Sequence, residues 1–220
     1  MIETGITFGD FHSFWDFDLV LAKAEIPPAS PKELFVEIPG ADGSVDMTEA
    51  FGEVKYSDRT GAKFTFFMNP AGDLSEEAWE AKKKEVSNRL NGLRCEIILD
   101  KEPDYFWAGR VKVSEHTSNK LMRKIVVDAR LAPYKLKTDI TRVAVDLTAT
   151  PQTVELLNGR KPVCPTITCT GTAKIVSGSS EYNVSKGTHK ILDIRLKQGR
   201  NVVTVSGSGE LEFSYQEGDL

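Results

Sequence analysis

The stretch Ile38-Pro39-Gly40-Ala41-Asp42-Gly43-Ser44-Val45-Asp46-Met47-Thr48-Glu49-Ala50, continued by Gly52-Glu53-Val54-Lys55-Tyr56 and by Arg59, sets the reading of the whole chain. Locally it is turn chemistry. Pro39 has no N–H to give to a ladder, so it ends the extended run Leu34-Phe35-Val36-Glu37-Ile38. Gly40 and Gly43 tolerate positive φ, and Asp42-Gly43 is a strong turn pair. The side chains of Asp46 and Thr48 can hydrogen-bond nearby backbone groups.

Upstream of this loop, Phe17 to Lys23 reads as a strand, and Pro27, Pro28 and Pro31 mark a segment that cannot pair regularly. Phe8, Phe11, Phe14, Trp15 and Phe17 form a dense aromatic cluster, expected in a core hairpin or a contact between subunits. Downstream, Lys63 to Met68 suits a pleated surface. A helix follows. Asp73 or Ser75 can cap it, Glu76 and Glu77 favour its positive end, and Asn91-Gly92 can stop it. Trp79, Val86, Leu90 and Leu93 fall at helical spacing, and Glu80 with Lys84 makes a surface pair. Cys95 to Leu99 is the next strand. Tyr105 to Val113 and Leu121 to Leu131 then read as two antiparallel strands around a polar loop at Ser114–Asn119. Strands with one helix make an α+β unit over residues 1–137, the helix covering one sheet.

Residues 138–220 lose the helical period. Val143, Val145 and Leu147, then Leu192, Ile194 and Leu196, then Leu211, Phe213 and Tyr215 alternate with polar or small residues. One buried and one wet face per strand is the pattern of a β-sandwich. The chain is thus expected to be mainly β: an α+β domain at 1–137 followed by a sandwich at 138–220.

Composition narrows the function classes. Forty per cent hydrophobic and 27 per cent charged residues exclude a disordered chain. Residues 1–137 hold 19 Lys+Arg against 23 Asp+Glu, a net of −4, while residues 138–220 hold 9 of each. An acidic first domain argues against electrostatically driven DNA binding. No apolar run reaches the length of a membrane span, and the N-terminus lacks a basic region followed by an apolar one. A protein made in the cytoplasm, kept there or released by lysis, is expected. Cys95, Cys164 and Cys169 fit a reducing compartment, and Cys164 and Cys169 point to opposite faces of a strand-like run, which disfavours a disulfide.

The loop and its surroundings resemble the distal tail protein (Dit) family of long-tailed bacteriophages. The resemblance lies in Pro39, Gly40, Asp42, Gly43 and Asp46 in order, in Tyr56 and Arg59 behind them, and in the closing run Pro133-Tyr134-Lys135-Leu136-Lys137. Ala41 stands where the family loop carries a basic residue. In the last third, Asn158-Gly159, Pro162-Val163-Cys164-Pro165-Thr166-Ile167 and Gly199-Arg200-Asn201-Val202-Val203-Thr204-Val205 are similar to the galectin-like, jelly-roll C-terminal domain of that family. The resemblance implies a structural, non-enzymatic baseplate protein of the virion. Its first domain would form a homo-hexameric ring joining the tail tube protein to the tail-tip protein, assembled in the host cytoplasm. DNA would pass through in transit, along a lumen expected to be acidic or neutral, and no membrane is involved. The second domain would dock a receptor-binding protein or another tip component through loops near Ser177–Ser180, Ser185–His189 and Ser206–Gly209.

Reaction chemistry is not expected. His12, His116 and His189 sit in unrelated segments with no nucleophile motif beside them, and no phosphate-binding glycine loop precedes a helix. The carboxylates of Asp42, Asp46 and Glu49 lack the spacing of a calcium loop, so neither metal nor cofactor is expected. Two alternatives remain: a carbohydrate-binding protein recognising host cell-wall glycan, and a cell-wall hydrolase with an accessory sandwich. Against the glycan reading, residues 138–220 have no Trp and only Tyr182, Phe213 and Tyr215 as aromatics.

Overall fold

The computed structural model describes residues 5–50, 52–118 and 122–220. The chain divides into two compact units, Met1–Lys135 and Leu136–Leu220. Among the described residues there is one α-helix, and the rest of the regular structure is β.

In the first unit the strands are β1 (Ile6–Phe8), β2 (Phe11–His12), β3 (Leu19–Glu25), β4 (Phe35–Glu37), β5 (Ser44–Asp46), β6 (Arg59–Met68), β7 (Arg94–Leu99), β8 (Tyr105–Ser118) and β9 (Arg123–Leu131). All but β4 and β5 join one sheet of order β2-β1-β7-β8-β9-β6-β3, with every neighbouring pair antiparallel. Period-two alternation sends Phe64 and Phe66 of β6, Ile125 and Val127 of β9, Val111 of β8 and Ile97 of β7 to one buried face. Phe8 meets Phe64 and Phe66 edge-on at 5.8 and 6.2 Å, while Trp15 at the other end of the expected aromatic cluster is 72% exposed. β8 runs on to Ser118, with Ser118 opposite Arg123, where a loop from Ser114 was expected. The expected loop end at Asn119 and the strand start at Leu121 lie outside the described residues.

Helix α1 (Glu76–Leu90) closes this core. The Ser75 hydroxyl accepts the Ala78 N–H at 3.1 Å, and the Asp73 carboxylate accepts the Ser75 N–H at 2.8 Å, so both expected caps act together. Trp79, Val86 and Leu90 are buried in the same cluster as the sheet residues. Glu80 ion-pairs with Lys83, one residue short of the expected Lys84, and Lys82 reaches Glu85 at 3.0 Å.

After β10 (Lys135–Lys137), the second unit has β11 (Thr141–Leu147), β12 (Gln152–Asn158), β13 (Thr166–Cys169), β14 (Thr172–Ser177), β15 (Ser180–Val184), β16 (Gly187–Lys190), β17 (Gly199–Tyr215) and β18 (Gly218–Asp219). Strand β17 serves two sheets. Its first half pairs with β12 and β14, and its second half pairs with β11 and β13. One sheet therefore runs β15-β14-β17-β12 and the other β11-β17-β13-β16. Val154, Leu156, Ile175 and Val205 from the first meet Ile167, Leu211, Phe213 and Tyr215 from the second in one core, which makes a β-sandwich.

Two expectations fail here. Leu192, Ile194 and Leu196 do not form a strand: Leu192 is 73% exposed, and the Ile194 N–H turns back to the Ile191 carbonyl. Ser206–Gly209 is no loop but the bend of β17 between its two sheets. A Cβ on Gly207 would sit 2.0 Å from the Thr172 carbonyl oxygen, so only glycine lets the strands approach there. All three cysteines are free, with Cys169 in the core and the Cys164 thiol directed at the Leu192 carbonyl.

Candidate functional site

The loop that opened the sequence reading is the tip of a separate two-stranded hairpin. Phe35 faces Asp46, Val36 faces Val45 and Glu37 faces Ser44, and neither strand joins the main sheet. Pro39, Gly40, Asp42 and Gly43 make its end. Gly40 and Gly43 hold φ of +86° and +73°, values that a side chain would strain. The Asp46 carboxylate accepts the Thr48 N–H at 2.9 Å, and the Thr48 hydroxyl oxygen accepts the Leu34 N–H at 3.0 Å. The Thr48 bonds hold the Asp46 carboxyl below the usual carboxylate range.

Tyr56 and Arg59 lie apart from that tip, at the hairpin's base. Pro31 bridges to Tyr56, the Lys32 N–H reaches the Lys55 carbonyl, and the Tyr56 ring meets Tyr134 edge-on at 5.8 Å. Arg59 is buried at the start of β6. Its Nε donates to the Pro133 carbonyl at 2.9 Å and its Nη1 to the Pro27 carbonyl at 2.8 Å. One guanidinium thus ties the segment entering the hairpin to the segment leaving β9, and burial pulls its pKa below the usual arginine value. The seven residues singled out in the sequence therefore serve two tasks, five shaping the arm and two fixing its root.

The sequence reading missed the exposed side chains between them. Leu34, Phe35, Val36, Ile38, Val45 and Met47 are each 40% to 54% exposed. The sequence held no signal of this exposure: Leu34-Phe35-Val36 is an unbroken apolar run, which by pattern suits a fully buried strand. A contiguous exposed apolar element of this kind marks a contact surface.

Elsewhere, the titratable groups stay dispersed. His12 pairs with Asp100 at 3.1 Å, His116 meets the Ser87 hydroxyl at 3.3 Å, and His189 meets the Ser185 carbonyl at 2.7 Å, each in its own segment. Among the described residues no group of three His, Cys, Asp or Glu side chains could hold a metal ion. Cys95 is a poor nucleophile, because burial, with help from Glu96, pushes its thiol up to about 11. No described helix is long and apolar enough to cross a membrane.

Fold and site together define a two-unit, mainly β protein with, among the described residues, one packed helix and an exposed apolar hairpin. That fold has a solved counterpart. The crystal structure of SPP1 Dit (gp 19.1), a paradigm of the hub adsorption apparatus in phages infecting Gram-positive bacteria, matches with a TM-score of 0.71 at 14% identity, covering 99% of this chain and 99% of that one. The fold is thus the one that the sequence resemblance implied. No family model and no curated protein matches the sequence.

Proposed function

We propose that the chain is a structural hub protein of a phage tail, of the distal tail (Dit) type. The observation that carries this reading is the fold likeness to the SPP1 hub protein, which extends over 99% of both chains and so includes both units. In this reading the first unit forms a closed ring of six copies between the tail tube and the tip proteins, and DNA passes through it. The protein is a virion component at the tail tip, assembled in the host cytoplasm, and it has no catalytic task. The exposed hairpin supports self-assembly, since an apolar arm without a core of its own gains by meeting another surface. The second unit then serves as a galectin-like dock for a receptor-binding or other tip protein. Phe213 and Tyr215 lie in its core, and the Tyr182 hydroxyl is 3.4 Å from Asp193, so the aromatic platform that a glycan reading needs is not built from them.

The test is assembly of the full-length protein. Sedimentation and electron microscopy should show six-fold rings, and isolated tail tubes should acquire one ring at one end. A protein that stays monomeric at high concentration and leaves tube ends bare refutes the hub reading.

A further inference from the structure

The second unit encloses a reactive dipeptide. We propose that Asn158-Gly159 is a latent self-modification site, which deamidates in a chain whose second unit is open and is switched off when that unit closes.

The chain has two Asn-Gly pairs, Asn91-Gly92 and Asn158-Gly159. Glycine after asparagine favours one intramolecular reaction, because it has no side chain to shield its nitrogen and few limits on its backbone rotation. The Gly159 nitrogen gives up its proton to water or hydroxide and attacks the Asn158 side-chain carbonyl carbon. A C–N bond forms, the bond to the side-chain nitrogen breaks, and ammonia leaves behind a cyclic succinimide. Water then opens the ring at either carbonyl to give aspartate or isoaspartate. Water enters and ammonia departs, with no oxidant, reductant or cofactor.

The closed fold opposes each step. Asn158 ends β12 opposite Gly199 of β17 and is only 6% exposed, which keeps water from both stages of the reaction. Its side-chain NH2 donates to the Lys161 carbonyl at 2.9 Å and to the Leu196 carbonyl at 3.2 Å, so the amide is pinned. Its Oδ1 is buried and, among the described residues, accepts no hydrogen bond. Nothing there stabilises the oxyanion that attack would create. The backbone beyond is clamped as well: the Arg160 N–H donates to the Asp219 carboxylate at 3.0 Å and the Lys161 N–H to the Gly218 carbonyl at 2.7 Å. Turning the Gly159 nitrogen towards the amide carbon would pull the chain off those partners.

Packing forces the reactive pair on the protein. A Cβ at position 159 would lie 2.7 Å from the Gly218 carbonyl oxygen and 2.8 Å from Asp219 Oδ1, so glycine is required there. Position 158 needs a side chain with two N–H donors on one nitrogen to hold both carbonyls. Conversion to aspartate removes those donors and leaves a buried charge facing the Lys161 and Leu196 carbonyls. Isoaspartate adds a main-chain atom and shifts the register against β17. Asn91 differs in each respect. It is exposed at the end of α1, and its Oδ1 accepts the Val113 N–H at 3.2 Å, a bond that an aspartate could still accept. A chain that ages while open is therefore barred from closing only if Asn158 is the residue converted.

The test ages full-length protein at mildly alkaline pH, in buffer and in unfolding urea, and follows the amide-to-acid change at both pairs by peptide mass mapping. In urea both pairs should convert at similar rates. In buffer, conversion at Asn158 should fall about a hundredfold or more below its urea rate, because it waits on a rare open state. Conversion of folded Asn158 at the urea rate, or none in urea, overturns the proposal. Urea-aged protein is then returned to buffer and treated with protease. Chains converted at Asn158 should be digested and chains converted only at Asn91 spared; equal survival of the two overturns the bar to closure. Asn158→Asp, which makes the product directly, should unfold at lower urea than the parent, and Asn91→Asp should stay near it. An Asn158→Asp chain as stable as the parent overturns the bar as well. These readouts are covalent change and stability, so they stand or fall independently of ring formation.

Discussion

Hairpins β14–β15 and β4–β5 share antiparallel ladder geometry and differ in nearly every side-chain environment. In the first, Ala173, Ile175 and Val184 point into the sandwich core, while Lys174 and Glu181 pair on the wet side at 2.8 Å. In the second, Phe35, Val36 and Val45 have no core to enter. An isolated two-stranded hairpin is marginal in water. The arm is held instead by local chemistry: turn glycines at its tip, the Asp46 and Thr48 side chains on the ladder, and Arg59 at the root. The contrast separates two jobs that apolar strand residues do. Inside β14 they supply stability, and along the arm they supply a surface.

The sharpest way to break that contrast is truncation on each side of it. Ile175→Ala should cost about 2–5 kcal/mol in urea unfolding of the second unit, from lost burial and the cavity left behind. Val36→Ala should stay within about 0.5 kcal/mol of the parent, as exposed positions do, yet weaken self-association. Equal losses of stability would mean that the arm is packed onto its own chain.

The root comes next in size. Arg59→Ala removes two charge-assisted hydrogen bonds to the half-buried carbonyls of Pro27 and Pro133, and should cost about 1.5–3 kcal/mol in first-unit unfolding. Arg59→Lys should recover part of this, because an ammonium group lacks the fork that reaches both carbonyls. A neutral Arg59→Ala would show that the root is held by its backbone bridges alone.

The smallest effect concerns the tip. A Cβ added to Gly40 or Gly43 meets nothing within 4 Å, so its cost is backbone strain only. Gly40→Val should destabilise the arm by about 1 kcal/mol, read as faster amide exchange at Val36 and Val45, with the melting temperature of the sheet unchanged. Slower exchange there would mean that the turn does not need its left-handed residue.

Much of this architecture was legible where local chemistry decides it. Ser75, Trp79, Val86 and Leu90 gave the helix and its buried side, and Leu211, Phe213 and Tyr215 gave the last strand. What failed depended on partners distant in sequence. The alternation of Leu192, Ile194 and Leu196 is met equally by an irregular segment that inserts Ile194 and Leu196 into the core. Gly207 and Gly209 read as loop residues because their partner, the backbone at Thr170–Thr172, lies far upstream. The turn of the arm could be read from Pro39 to Gly43, but its exposure could not, since burial depends on what packs against a strand. Charge was legible only as an average: the net of −4 over residues 1–137 does not show that six carboxylates lie between residues 33 and 53 or that Arg94, Arg110 and Arg130 line up across the sheet.

Strand β17 also sets a timetable for synthesis. Both sheets of the second unit use it, with Thr141 pairing to Tyr215 and Asn158 to Gly199. A ribosome that has made residues 138–198 has therefore produced most of the sandwich's apolar side chains but not the strand that joins its two sheets. Such long-range pairing is slow to form. Until Gly199–Tyr215 has left the exit tunnel, those side chains lack the strand that joins the two sheets, although β13 can already pair with β16 and β14 with β15.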